Sequence, residues 1–69
     1  MSANAELASA IRRLNARLGQ LDPEEQRALQ DDWFASWSEL TRQREQAPDQ
    51  AAELEVVANW ERHWHERLG

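Results

Sequence analysis

The sequence predicts an all-α fold: a small antiparallel three-helix bundle, or a helical hairpin carrying an extra N-terminal helix. Three observations carry that expectation. Apolar residues recur at helical spacing along the chain, and no stretch alternates as a half-buried strand would. Two start signals, Pro23-Glu24-Glu25 and Pro48-Asp49-Gln50, divide the chain into three helical stretches. Four tryptophans form two pairs, Trp33/Trp37 and Trp60/Trp64, each spaced i, i+4 and therefore on one face of a helix.

The first helix is expected over residues 3–18. Ser2 or Asn4 can cap it, and Gly19 is read as a left-handed stop. Its apolar residues Leu7, Ile11, Leu14, Leu18 and Leu21 step by 4, 3, 4 and 3, the seam of a bundle helix. The second helix is expected over 23–46. Asp22 caps it, Pro23 suits its first position, and Glu24 and Glu25 meet the positive end of its dipole. Leu29, Trp33, Trp37, Leu40 and Ala47 share a face. The third helix is expected over 49–68, with Pro48 opening it.

Folding the second and third helices as a hairpin gives a mirrored register. Leu29 with Leu68, Trp33 with Trp64, Trp37 with Trp60, and Leu40 with Val57 all have numbers adding to 97. The same construction for the first two helices gives levels adding to about 43. It pairs Leu14 with Leu29, Ala10 with Trp33, Leu7 with Ser36, and Ala3 with Leu40, and leaves the hairpin tip, roughly residues 41–54, uncovered by about 10 Å at about 1.5 Å per residue. The tip residues Ala47, Ala51 and Leu54 are then a candidate dimer contact.

Composition narrows the rest. The 69 residues suffice for one small domain, 1–69. Apolar content is 41%, but eleven of those residues are Ala, so the core is thin and self-association as a homodimer is the expected supplement. With no Cys, disulfides and thiolate metal sites are excluded. No apolar run approaches a membrane span and no signal-peptide pattern is present, so a cytoplasmic location is expected. Net charge is −5, distributed as +2 over residues 1–21, −5 over 22–49 and −2 over 50–69. An acidic chain argues against nonspecific phosphate binding and suits a partner with a basic surface.

Chemistry-bearing motifs are sparse. Gly19 and Gly69 are the only glycines, so no Gly-rich phosphate loop exists. No nucleophile elbow or HExxH occurs. No enzyme, cofactor or metal site is expected. His63 and His65 lie two apart and point to nearly opposite faces of a helix, and Glu61 with His65 offers too few ligands. Glu61 falls within the apolar arc of its helix, level with Ser36, and calls for a hydrogen bond or a cation, from Ser36 or from an Arg of the first helix or of a dimer mate.

The expected function is protein interaction. Phe34 lies about 110° from the core face of its helix, at 100° per residue, beside Trp37. Val56 is likewise off the core face of the third helix. With the acidic flank Asp31, Asp32 and Glu39, these residues form a candidate partner-binding set. Arg13 and Arg17 make a basic stripe on the first helix, which either docks on a partner or pairs with acids of the second helix. The leading expectation is a small module that binds and inhibits a larger protein, such as a nucleic-acid-binding regulator. The alternatives are a dimer contacting nucleic acid through Arg12, Arg13 and Arg17, and a structural or chaperone subunit of an assembly.

Overall fold

The computed structural model describes residues 2–69. Three helices pack together: α1 (Ala3–Leu18), α2 (Pro23–Gln46) and α3 (Gln50–Leu68). Each N-terminus is closed by a side-chain oxygen that accepts a backbone N–H otherwise left unbonded. Ser2 Oγ accepts from Ala5 at 3.1 Å, Asp22 Oδ1 from Glu25 at 3.0 Å, and Asp49 Oδ1 from Ala52 at 2.8 Å. Pro48 therefore stands before the cap and does not open α3; Asp49 has the better chemistry for the cap, and the helix begins one residue beyond it.

Gly19 is not left-handed. Its φ is −65°, and the chain leaves α1 through short turns in which Gln20 N–H bonds Arg17 O and Leu21 N–H bonds Leu18 O. Gln26 Nε2 completes the end by donating to the Leu18 and Leu21 carbonyls at 2.8 and 3.1 Å. A side chain from the next helix thus replaces the positive-φ cap, and no special glycine conformation is needed.

The hairpin of α2 and α3 forms at the mirrored register. Trp33 meets Trp64 with ring centroids 5.1 Å apart, and Trp37 meets Trp60 at 6.0 Å. Trp33 also touches Trp60 at 5.2 Å. All three pairs are tilted or edge-on, the arrangement that brings the positive edge of one ring to the negative face of the next. Leu40 and Val57 are buried in the same core, with Leu29 and Leu68 partly buried against it.

The placement of α1 differs from expectation. It packs chiefly along α3, parallel to it, and touches α2 little. The indole layer fills the space between α2 and α3, whereas the buried Ala3 and Ala10 give α1 a low-profile seam that allows close approach to α3. The pairing of Leu14 with Leu29, Ala10 with Trp33, Leu7 with Ser36 and Ala3 with Leu40 is therefore replaced by a parallel register. Arg13 bonds Glu61, an offset of 48 residues that sets Ala3 level with Ala51.

One consequence is that the tip is covered. Arg44 bonds Glu53 through Nε and Nη2 at 3.0 and 2.9 Å, and its Nη2 also donates to Asn4 Oδ1. That single guanidinium ties α1, α2 and α3 together at the end expected to project. Ala47 and Leu54 are half-buried there. The uncovered part of the molecule lies at the other end, along the first half of α2.

Candidate interaction surface

The two tryptophans of α3 are held inward by one hydroxyl. Ser36 Oγ accepts the indole N–H of Trp64 at 3.0 Å and of Trp60 at 3.2 Å, while donating to the Trp33 carbonyl at 2.9 Å. One donor and two acceptor positions are all that a hydroxyl offers, so its capacity is filled. Trp64 is 0% exposed and Trp60 8%. Arg67 closes the layer from outside, its guanidinium 5.3 Å from the Trp64 ring centroid and ion-paired to Asp32. These rings form the spine of the hairpin, with Trp37, 36% exposed, at its edge.

Glu61 finds its cation in α1. Arg13 Nε and Nη2 meet its two carboxylate oxygens at 2.6 and 2.7 Å, a bidentate pair, and His65 Nε2 lies 2.9 Å from Oε2. Arg13 also reaches Glu6 at 3.1 Å. Hydrogen bonding from Arg13, then from His65, outweighs desolvation and holds the Glu61 carboxyl down at about 2. Both oxygens are thus engaged by protein groups. Among the described residues no group of three or more His, Cys, Asp or Glu is arranged to hold a metal.

The proposed set of contact residues is thereby dispersed. Arg13 is a clamp between α1 and α3, and Asp32 is bonded to Arg67. Neither Arg13 nor Arg17 pairs with an acid of α2; Arg13 turns to α3 because α1 packs there, and half-buried Arg17 has no ionic partner among the described residues. Glu39 is bridged to Arg42 at 2.6 Å, and that bond, then one from Gln43, keeps its carboxyl below the usual range. Val56 is partly buried against the core. Phe34 and Trp37 remain together at the surface with Asp31, and Phe34 is 60% exposed.

What collects them is α2 itself. Of its 24 residues only Leu40 is buried. Because α1 leans toward α3, an open groove of about 490 Å³ separates the end of α1 from the start of α2. Leu18, Leu29, Trp33 and Phe34 supply its apolar lining, and Asn15 and Gln30 are among its polar residues. Outside the groove the start of α2 is acidic: residues 22–32 hold five acids and one Arg. Glu25 sits close enough to Asp22 that a shared hydrogen bond and like-charge repulsion raise its pKa. Glu24, Asp31 and Glu45 are exposed and have no ionic partner among the described residues.

Sequence reasoning missed the groove, Ser36 as the indole acceptor, and the exposed charges Glu24, Arg27 and Glu45. The signal for Ser36 was present: the mirrored register places it opposite Glu61, beside the levels of Trp60 and Trp64. The groove had no such signal, because it depends on which neighbour α1 selects. The chain matches no known family model, and no curated protein or solved structure shows significant similarity to it. No helix among the described residues is long and apolar enough to cross a membrane.

Proposed function

We propose that the protein is a non-enzymatic, self-associating interaction module that binds a larger protein with a basic surface and inhibits it by occupying that surface. The observation that carries this reading is the state of α2: a 24-residue helix that buries one residue and presents Phe34 and Trp37 beside unpartnered carboxylates. An aromatic anchor rimmed by charge is the usual anatomy of a protein-binding patch. Excess negative charge around Asp22 and Glu25 favours a partner whose Arg or Lys residues relieve the repulsion. Of the arginines read as a nucleic-acid stripe, Arg13 is already engaged by two carboxylates and Arg12 donates to Ser9, which weighs against the phosphate-binding alternative.

The test is affinity capture from cells that make the protein, comparing wild type, Phe34→Ala, and Asp31→Asn combined with Glu24→Gln. These positions are exposed, so each variant should keep its thermal stability within about 0.5 kcal/mol. The expected result is a basic protein retained by wild type at low salt, released at high salt, and weakened in both variants. Equal retention by all three proteins overturns the proposal.

A further inference from the structure

The exposed face of α2 carries a second pattern, distinct from its acidic flank. Arg27, Gln30, Phe34, Trp37, Thr41 and Glu45 are all exposed and step by 3, 4, 3, 4 and 4. At 100° per residue they occupy an arc of about 80°, centred about 100° from the core face of Leu29, Trp33 and Leu40. The stripe begins with a cation, ends with an anion, and has its two aromatic residues in the middle. Neither terminal charge has an ionic partner among the described residues. They cannot serve each other within one chain: 18 residues on one helix separate them by about 27 Å.

We infer that this stripe pairs with the same stripe of a second copy, α2 against α2, antiparallel about a two-fold axis. This rests on the reading of α2 as an interaction helix and names one occupant for its aromatic face. In that arrangement opposed residue numbers add to 71 or 72. Phe34 meets the second copy's Trp37, Gln30 meets its Thr41, and Arg27 meets its Glu45. By symmetry every contact occurs twice, as an isologous interface requires. A parallel pairing would set Arg27 against Arg27 and Glu45 against Glu45, so the charges select the antiparallel register. The outer acids Glu24 and Asp31 lie outside the stripe and have no ionic partner among the described residues, so they stay free for a basic partner.

The size of the contact sets its strength. A strip about 27 Å long and about 10 Å wide covers on the order of 270 Å² per copy, below the roughly 800 Å² per partner of a stable interface. That size places the dimer in the weak, transient class of interfaces.

Sedimentation from about 10 µM to 1 mM at low salt tests it, on wild type, Arg27→Glu, Glu45→Arg, and the double reversal, with circular dichroism to verify helicity. Each single reversal opposes two pairs of like charge and should weaken dimerisation about tenfold or more. The double reversal restores both pairs in swapped order and should recover affinity to within about threefold. The inference is overturned if wild type stays monomeric up to 1 mM, if the single reversals associate like wild type, or if the double reversal associates no better than the singles. A monomer that still shows salt-sensitive binding to a basic protein would remove this pairing and leave the partner reading standing. A dimer that binds no such protein would do the reverse.

Discussion

Replacing Ser36 with alanine should be among the most damaging single substitutions in this chain, although the residue is small, polar and only half-buried. The change deletes one oxygen and strands two indole N–H donors. A buried donor without an acceptor costs about 1–3 kcal/mol. Trp64 is completely enclosed and bears the full cost, while Trp60, with a little exposed surface, can recover part of it from water. The sum is about 2–5 kcal/mol, against a total stability of roughly 3–10 kcal/mol for a chain of this length. With an unfolding entropy of about 2.1 cal/mol/K per residue, the midpoint should fall by about 15–35 °C. Thermal and urea melts followed by ellipticity and by tryptophan emission would measure it, at protein concentrations below self-association. Ser36→Thr keeps the hydroxyl and should lose less than about 1 kcal/mol. If Ser36→Ala melts within a few degrees of wild type and its emission stays equally blue, the indoles do not depend on this acceptor and the account of the Trp layer fails.

Two other perturbations follow from the ion pairs. Glu61 has its folded-state pKa depressed to about 2 from an ordinary 4.5, so its contribution is complete above 4.5 and lost as pH falls toward 2. Wild type should lose stability through that window. Glu61→Gln should be weaker at neutral pH but flatter between pH 4.5 and 2, and parallel melting profiles for the two proteins would contradict the assignment. Arg44→Ala removes the guanidinium that joins Asn4, Glu53 and α2, with a loss of about 1 kcal/mol. The opening should be local, seen as faster amide exchange in the first turns of α1 and α3 than at Trp64, and uniform acceleration along the chain would refute it.

The sequence by itself determined the elements and the hairpin, because both depend on local chemistry. Asp22 and Asp49 cap their helices through side chains three residues from the N–H they satisfy. The i, i+4 tryptophans declare their faces, and two faces joined by a three-residue break can match in few registers. The position of α1 was a tertiary decision. Its apolar seam carries no label for a partner, and either neighbour could have received it. The indoles hold α2 away from α3 by the width of their rings, Ala3 and Ala10 give α1 a low profile, and Arg13 finds Glu61. Once α1 lies on α3, Arg44 can close the tip, the groove opens at the other end, and Phe34 is left with Trp37 at the surface. The acids of α2 were visible in the sequence as a block of charge. Which of them are free was settled by packing, which brings Arg67 of α3 to Asp32 and turns Arg44 away to Glu53, while Glu39 is paired within α2 by Arg42.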